Sequence, residues 1–448
     1  MTPSQKADFG KEFTAAALFR FALPTMTMMA FSGLYTMADA AFAAHFAGKH
    51  ALAALNIAAP MLHLVVGLGT MFATGANARI SQEMGARRER EAREDLTLLI
   101  LVSALTGTAL AAAALWQLDP LLSLLGAKGP LTESARDYLG TLLPFFPAYL
   151  MQTVFANLFV TAGRPGLGAA LSIAAGVLNL ILDAVLMGVC GQGVRGAALG
   201  TGLSCLLPSA AGLCFFAARR KAPLRLCKTA WRPKAVAECC LNGSSEMVGQ
   251  LAMAVTVFLF NANMLRLAGA DGVAAVTILN DAQFLLETLY IGFSMGVAPI
   301  LGFQHGRGGA RGQKRLLCAC LRVVGVLSAA VCGLSLIGGP LLALRIAGGE
   351  ARVASLAVQG FRALSVSFLF SGVNIFASAL FTALSNGKVS ALLSFLRTFA
   401  FLTAALLTLP RLWGVMGVWL APPAAEAMAF ALSVFFLRGQ LRAYGRAA

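Results

Sequence analysis

Residues 96–118 read LTLLILVSALTGTALAAAALWQL, a stretch of 23 consecutive residues without a charged side chain. As an α-helix this stretch would be about 35 Å long at 1.5 Å per residue, which is enough to cross the ~30 Å hydrocarbon core of a bilayer. Its apolar residues run continuously and do not alternate with polar ones, as they would in a membrane-spanning β-strand. The stretch therefore predicts a transmembrane α-helix.

Similar apolar stretches recur along all 448 residues. The chain is 58% hydrophobic and only 12% charged, with a mean hydropathy of +0.77, whereas soluble domains carry about 25% charged residues. We therefore predict an all-α integral membrane protein. Breaks at charged residues, glycine or proline divide the chain into twelve transmembrane helices, near residues 15–43, 52–78, 96–118, 137–160, 167–190, 196–218, 239–265, 273–301, 316–340, 355–381, 390–410 and 414–437.

The lysines and arginines between these spans and near the span ends are distributed unevenly between the two sides of the membrane. On the side of the N-terminus there are 25, and on the opposite side there are eight. Because basic residues accumulate on the cytoplasmic side of membrane proteins, we expect both termini in the cytoplasm. The net charge of +16 is then a signal for membrane insertion. We expect the lipid bilayer, and no nucleic acid, as the partner of this surface.

An internal repeat relates the two halves of the chain. The segment 46–57, FAGKHALAALNI, is similar to the segment 267–278, LAGADGVAAVTI, at a shift of 221 in numbering. A shift of 222 places Leu158 and Phe159 on Leu380 and Phe381. The shift of 221 also superposes further glycines, namely Gly75 on Gly296, Gly85 on Gly306, Gly193 on Gly414 and Gly196 on Gly417.

The repeat predicts two parallel six-helix bundles. Six spans per half give both halves the same orientation, so an axis along the membrane normal relates them. We expect an N-terminal lobe at residues 1–218, a basic cytoplasmic linker at 219–237 and a C-terminal lobe at 238–448. Parallel halves with a cavity between them are typical of transporters.

Five polar residues of the N-terminal half suggest a cation site. Charged groups inside a bilayer are costly and mark functional sites. Asn179 and Asp183 are four residues apart and share one face of span 5, and Asp39 follows Tyr35 by one turn in span 1. With Thr201, these oxygens suit either a sodium ion or a proton held by a carboxylate. The alternative is that Asn179 and Asp183 only form hydrogen bonds to neighbouring helices.

The other polar residues within the spans are candidates for different roles. Pro24, in the middle of span 1, is a candidate hinge because proline removes one helical hydrogen bond, although a static kink is the alternative. Arg397 and Glu426 reach similar depth and are predicted to form a structural pair, with an electrostatic role in a cavity as the alternative. The candidate polar or substrate cavity of the C-terminal lobe comprises Glu246, Asp281, Glu287, Asn374, Arg397 and Glu426.

The motifs of enzymes and of ATP-driven pumps do not occur in the sequence. There is no phosphate-binding loop, no nucleophile triad and no histidine spacing for a metal site, and the nine cysteines form no paired CxxC motifs. We therefore expect no enzymatic activity and no cofactor. The only metal expected is a sodium ion at Asp39, Asn179 and Asp183. Transport would then be driven by an ion gradient or by the gradient of the substrate.

Nine segments carry a family resemblance that covers nearly the whole chain. They are DAAF (39–42) with HFAGKHALAALNI (45–57), GLGTMFATGANARISQEMGARRERE (67–91), LFVTAGRPGLGAALSIAAGVLNLILDAVLMG (158–188), GVRGAALGTGLS (193–204), NGSSEMV (242–248), LNDAQFLLETLYIGFSMGVAPILGFQHG (279–306), LSFLRTF (393–399) and GVMGVWLAPPAAE (414–426). In this order and at this spacing they resemble the multidrug and toxic compound extrusion (MATE) family, in its bacterial branches of the MepA, DinF and NorM type.

The resemblance implies a V-shaped pair of six-helix bundles that exports cationic or amphipathic compounds in exchange for Na⁺ or H⁺. It implies a monomer in the bacterial plasma membrane. It also implies that Tyr35, Asp39, Asn179, Asp183 and Thr201 form the coupling site, with helix 1 bending at Pro24. One departure is that residues 366–379 lack the acidic residue that some NorM-type members carry in span 10. Asn374 is the nearest polar residue there, and Glu246 does not match the acidic position of those members in span 7.

Two other functions are compatible with this sequence. A flippase for lipids or lipid-linked oligosaccharides would belong to the same superfamily, but it would need a basic cavity. Apart from Arg20 and Arg322 near the inner ends of their spans, only Arg362 and Arg397 lie within spans. A sensor or scaffold would retain the fold without transport, and it would have no need for Asp39, Asn179 and Asp183. A drug-accumulation assay with and without an ionophore separates the three functions.

Overall fold

The structure is a computed structural model that describes residues 14–46, 48–125, 127, 130–218, 222–346 and 350–446. Within these ranges, the side chains at positions 36, 37, 39–46, 48–54, 56, 130 and 254 lie outside the description. Across the described part of the chain the regular secondary structure is entirely helical.

Twelve helices, α1 to α12, cross the part of the molecule that the structure describes. Their bounds are Ala15–Phe46 (α1), Gly48–Gly85 (α2), Glu89–Trp116 (α3), Pro130–Leu142 continued through Leu143–Phe145 to Phe146–Thr161 (α4), Pro165–Asp183 with Ala184–Val189 (α5), Gly193–Ala218 (α6), 233–268 (α7), 270–307 (α8), Ala310–Ile346 (α9), Ala351–Ala383 (α10), Gly387–Phe395 with Leu396–Phe401 and 402–412 (α11), and 415–446 (α12).

Breaks at two glycines explain why ten continuous helical segments correspond to twelve transmembrane helices. The described residues form ten continuous helical segments that are long and apolar enough to cross a membrane, and two of these have 75 and 60 residues. The first is broken at Gly269, with φ 69° and ψ −154°, and the second at Gly414, with φ 56° and ψ −133°. Left-handed backbone of this kind suits glycine because it has no Cβ. Each long segment is therefore two antiparallel spans, which confirms the predicted twelve-helix fold.

Equivalent turns in the two halves have the same backbone geometry. Gly163 and Ser385, which the repeat makes equivalent, both have positive φ (70° and 57°). Each follows a helix that ends with the same three hydrogen bonds, among them Arg164 N to Phe159 O and Asn386 N to Phe381 O, both 2.8 Å. Arg87 and Gly308, a second equivalent pair, also share positive φ. The sequence repeat is therefore a structural repeat that extends to individual turn residues.

The helices differ from the predicted spans at their ends. The helix α3 begins at Glu89, seven residues before the uncharged stretch that starts at Leu96. Charged residues interrupt hydropathy but not helical geometry, so the helices continue past the hydrocarbon region. The short helix Leu118–Leu124 between α3 and α4 was not predicted from the sequence.

The two bundles pack against each other through α1, α2, α7 and α8. A Cβ added at Gly75 on α2 would collide with the carbonyl of Cys239 on α7, and one at Gly243 on α7 would collide with the carbonyl of Met71 on α2. Glycines at these positions let the two backbones touch, as in small-residue interfaces of other membrane helices. The beginning of α1 also shares a buried core with the C-terminal bundle, where Leu18 lies beside residues of α8 and α9.

The segment between the bundles is attached to the N-terminal one. Arg93 Nε donates to the carbonyl of Pro223 at 2.7 Å, and the backbone N–H of Cys227 donates to Thr97 Oγ1 at 3.1 Å. Arg232 forms an ion pair with Asp95, whose side chain is buried. Residues 222–232 thus follow a defined path along α3 before α7 begins.

Candidate functional site

Asn179 and Asp183 lie side by side in the last α-helical turns of α5, before its segment Ala184–Val189. Both are buried, with 1% and 0% of their surface exposed. They lie one helical turn apart, so both side chains face the same neighbouring helix, α6. A buried carboxylate needs polar partners, because removing a charge from water is costly. Asn179 and Asp183 are therefore candidates for a functional site within a membrane-spanning helix.

Gly200 on α6 makes room for the two side chains. A Cβ added at Gly200 would collide with Asp183 Oδ1 and would lie 3.5 Å from Asn179 Nδ2. Thr201 follows directly and is buried, with 8% of its surface exposed. The carboxylate and the amide are therefore held against the α6 backbone.

Helix α1 approaches the same site from the other side. A Cβ added at Gly176, one turn before Asn179, would lie 2.7 Å from the ring of Phe31 and 3.5 Å from Cγ of Tyr35. Tyr35 is therefore brought to the face of α5 that carries Asn179. The backbone of Asp39 lies in α1, one turn after Tyr35, but its side chain is outside the described residues. The structure thus brings Tyr35 to the face of α5 that carries Asn179 and Asp183, and it places Thr201 next to Gly200 on α6.

The helix geometry changes at Asp183. Residues Ala184–Val189 form a π-helical turn that begins directly after this carboxylate. The second π-helical segment, Leu396–Phe401, contains Arg397 in the other bundle. Single π-turns occur frequently at functional sites, because the wider turn redirects side chains and frees a backbone group. Each bundle therefore has a charged side chain at an irregular turn inside a transmembrane helix.

The charged side chains of the C-terminal bundle form a network around Arg397. Arg397 Nε donates to Glu426 Oε1 at 2.7 Å, and its terminal nitrogen lies 3.3 Å from Glu287 Oε2. Asn374 Nδ2 donates to the second oxygen of Glu426 at 2.6 Å, and Gln283 donates to Glu287 at 2.9 Å. One guanidinium thus neutralises two carboxylates, and two amides supply further hydrogen bonds.

Glu246 and Asp281, also expected in this cavity, differ in their relation to the Arg397 network. Glu246 on α7 is close enough to Arg397 to interact with it electrostatically. Asp281, two turns before Glu287 on α8, is exposed and forms no ion pair with any described residue. Asp281 therefore does not join the ion-pair network of Arg397, and its place in the cavity stays a prediction. The side chains at 281 and 287 are six residues apart and point to different faces of α8.

Pro24 lies in the continuous helix α1, where α1 crosses α8. Glycines of α8 face this point, since a Cβ at Gly292 would lie 2.6 Å from Cα of Met26 and one at Gly296 would lie 2.9 Å from Cα of Ala22. The hydroxyl of Thr25 bonds to the carbonyl of Ala22 at 2.7 Å. The proline is therefore at the contact between the bundles.

The side chains of Asn179 and Asp183 present amide and carboxylate oxygen atoms at the N-terminal site. No cluster of three or more histidine, cysteine, aspartate or glutamate side chains suited to a metal ion occurs in the described part of the chain. A sodium ion needs carboxylate, amide, hydroxyl or carbonyl oxygens instead. Among the described residues, neither amide atom of Asn179 has a hydrogen-bond partner although both are buried. A buried amide of this kind is costly unless it binds something.

Three residues of these sites were missed from the sequence. Gly176 and Gly200 create the space, and Gln283 supports Glu287. The signal for Gly200 was present, because Gly196, Gly200 and Ser204 repeat every four residues, the small-residue spacing of packed membrane helices. Gln283 and Glu287 are also four residues apart, a spacing at which helical side chains form hydrogen bonds.

Comparison with known proteins identifies the family. The MatE family profile matches residues 24–185 and again residues 247–406, which together are more than half of the chain. The chain belongs to the MatE family. One match falls in each half of the chain, in agreement with the internal repeat. The family is one of membrane transporters, and the chain is accordingly a multi-pass membrane protein.

Individual relatives are similar over their full length. The multidrug export protein MepA of Staphylococcus saprophyticus is 22% identical over 449 residues, covering 98% of each chain. Two solved structures, a MATE in the straight conformation and a MATE in the bent conformation, superpose with TM-scores of 0.92 and 0.90 at 20% identity. They cover 100% of this chain and 100% and 99% of their own chains. The fold is therefore the V-shaped MATE fold.

Proposed function

We propose that this protein exports cationic or amphipathic organic compounds in exchange for Na⁺ or H⁺. The coupling site in this proposal is Asp183 with Asn179, Thr201, Tyr35 and Asp39. The observation that carries the proposal is the fully buried carboxylate of Asp183, held against Gly200 at an irregular turn. A carboxylate at such a position is tolerated when a cation compensates it during the transport cycle.

The relatives support the direction and the class of transport. Those with curated names are multidrug export proteins, as in Staphylococcus saprophyticus and Staphylococcus aureus. The excess of basic residues on the side of the N-terminus supports cytoplasmic termini, and the bacterial relatives support the plasma membrane. We assign residues 1–218 and 238–448 to the two lobes and expect the monomer to be the working unit.

A bend of α1 is the conformational step that we propose. Pro24 interrupts the hydrogen bonding of α1 where the helix lies on Gly292 and Gly296, and a proline within a helix favours a kink there. Bent and straight conformations have both been solved for a MATE protein. Movement of α1 would displace Tyr35 and Asp39 from α5, which would couple the occupancy of the site to the opening of the lobes.

The charges of the C-terminal bundle argue against a flippase for anionic lipid-linked sugars. Such a protein needs free cations in its cavity. Arg397 is already bound to Glu426 and Glu287, and Arg362 is exposed on the surface of α10. An anionic headgroup would therefore find no uncompensated guanidinium at this network.

Dye uptake into inverted membrane vesicles tests the proposal, because their cytoplasmic face points outward and export moves dye into the vesicle. A fluorescent monocationic dye is added outside vesicles that contain the protein. A Na⁺ gradient and a pH gradient, each with the higher ion concentration inside the vesicle, are imposed in separate experiments. We expect one of the two gradients to accelerate dye movement several-fold over vesicles without the protein. If neither gradient changes the rate of dye movement, ion-coupled export is contradicted. If only ATP accelerates dye movement, the protein is an ATP-driven exporter instead.

A further inference from the structure

A recess of about 560 Å³ lies where the last turns of α12 pack beside the turn between α10 and α11. Its apolar walls include Phe381 at the end of α10, Val389 at the start of α11, and Phe435 on α12. Phe436, also in the wall, packs edge-on against Phe381 with ring centroids 5.9 Å apart. The recess therefore lies between three helices, and an aromatic contact holds part of its wall in place.

The α12 side of the recess changes from apolar to basic along the helix. Ala431, Phe435, Arg438 and Arg442 all line it. Their spacing of four, three and four residues places them on one helical face. Arg438 and Arg442 are both exposed, and neither forms an ion pair with a described carboxylate. One continuous surface thus offers an apolar slot followed by two cations.

The surface of α12 changes from apolar to basic at about the depth where the bilayer changes from hydrocarbon to headgroups. Helix α12 starts at residue 415, next to Trp413, whose indole is exposed as is common at a membrane surface. At 1.5 Å per residue, Ala431 lies about 24 Å and Arg438 about 35 Å along the helix. With a hydrocarbon core of ~30 Å, the apolar slot lies at the depth of acyl chains and the guanidinium at the depth of headgroups.

No acidic side chain competes for these cations nearby in the sequence. Between residues 387 and 446 the only carboxylate side chain is that of Glu426, which is bound to Arg397. Lys388 is exposed next to the recess, and Asn386, which lines it, offers an amide donor. The charge of the rim is therefore purely positive.

We propose that this recess is a binding site for one anionic phospholipid. An acyl chain occupies the apolar slot beside Phe435, and the phosphate binds Arg438 and Arg442. Basic pockets between transmembrane helices at the cytoplasmic surface are suited to such headgroups, and each cation near the surface contributes about 1 kcal/mol, or roughly fivefold in affinity. Nothing in the proposed export mechanism requires these residues, so the site is separate from the coupling site.

Native mass spectrometry of the full-length protein in detergent tests this site. The added lipids are palmitoyl-oleoyl phosphatidylglycerol and phosphatidylcholine, which share acyl chains and differ in headgroup charge. For the wild type we expect at least about tenfold tighter retention of one phosphatidylglycerol molecule. The double variant Arg438→Gln/Arg442→Gln should reduce this preference to twofold or less. The matched variant Arg20→Gln/Arg322→Gln removes two exposed guanidiniums elsewhere and should keep it.

A second variant tests the acyl slot independently of charge. Ala431→Phe fills the slot and leaves both arginines, so it should weaken retention of phosphatidylglycerol several-fold. Excess glycerol 3-phosphate should not displace the lipid, because the headgroup alone lacks the acyl contact. The proposal is overturned if the wild type retains the two lipids equally or if the two double variants lose the preference equally. It is also overturned if Ala431→Phe retains phosphatidylglycerol as the wild type does, or if glycerol 3-phosphate displaces the lipid.

Discussion

Gly85 and Gly306 are equivalent residues in the internal repeat, and each lies against the helix that carries the other. A Cβ at Gly85 on α2 would collide with the carbonyl of Phe303 on α8, and one at Gly306 would collide with the carbonyl of Gln82 on α2. Gln82 and Phe303 are themselves equivalent at the same shift. The contact is therefore reciprocal, as in a two-fold symmetric dimer interface, and the pseudo-symmetry axis passes between α2 and α8.

This contact predicts a cost for one added methyl group. Gly306→Ala should lower the stability of the folded protein by about 1–3 kcal/mol, because the two backbones must separate. Gly325→Ala is the control, since a Cβ there has nothing within 4 Å. Thermal unfolding in detergent should show a lower melting temperature for Gly306→Ala alone. Equal melting temperatures for the two variants would contradict a tight contact at this point.

The Arg397 network predicts a graded loss of folded protein. Arg397→Ala leaves Glu287 and Glu426 without their common partner and should cost roughly 3–5 kcal/mol. Glu426→Gln should cost less, because Arg397 keeps Glu287. Arg352→Ala removes an exposed pair with Asp271 at 3.6 Å and should cost about 0–1 kcal/mol. Yield and melting temperature of purified protein check this order, and normal values for Arg397→Ala would show that the network is not structural.

The fold could be predicted from the sequence because its signals are local. Uncharged stretches, the charge bias and the internal repeat predicted twelve helices in two parallel halves. The breaks at Gly269 and Gly414 fall where one predicted span ends and the next begins. The predicted ends were too short wherever charged residues continue a helix into water, as at Glu89.

The sites could be predicted only in part, because they depend on helix rotation and on pairs far apart in sequence. Asn179 and Asp183 share a face by spacing alone. The contact of Arg397 with Glu287, 110 positions away, requires the packing of α8 against α11. Spacing showed that Asp281 and Glu287 differ in direction, but it could not show which of them faces the interior. Gly200 has no Cβ and therefore leaves room for the Asp183 carboxylate, a contact that only the packing of α5 against α6 reveals.

An added methyl group at position 200 should weaken ion binding at the proposed coupling site. Gly200→Ala should displace the Asp183 carboxylate and raise the ion concentration for half-maximal dye efflux by about tenfold, or about 1.4 kcal/mol. Gly166→Ala on α5, where a Cβ would meet nothing within 4 Å, should leave it unchanged. The measurement is efflux per folded molecule against ion concentration. An unchanged half-maximal concentration for Gly200→Ala would place ion binding elsewhere.

The stoichiometry of the proposed exchange predicts its response to voltage. If one Na⁺ or H⁺ enters for each monovalent cation expelled, the exchange is electroneutral. A tenfold ion gradient then supplies about 1.4 kcal/mol, and the membrane potential supplies nothing. With two ions per cation, about 2.3 kcal/mol per 100 mV would be added. Efflux of a monocationic dye at fixed ion concentrations should not respond to a valinomycin-generated potential, and strong acceleration would rule out one-for-one exchange.

The central claim is that Asp183 couples an ion gradient to export, and one substitution tests it most directly. Asp183→Asn keeps the size of the side chain and one acceptor oxygen, replaces the other oxygen with an NH2 donor, and removes the charge. The matched variant Asp119→Asn removes a carboxylate from an exposed ion pair with Arg136. The measurement is gradient-driven dye efflux from proteoliposomes that contain equal amounts of folded protein. We expect wild-type rates for Asp119→Asn and the rate of protein-free vesicles for Asp183→Asn, whereas wild-type efflux by Asp183→Asn would contradict the account.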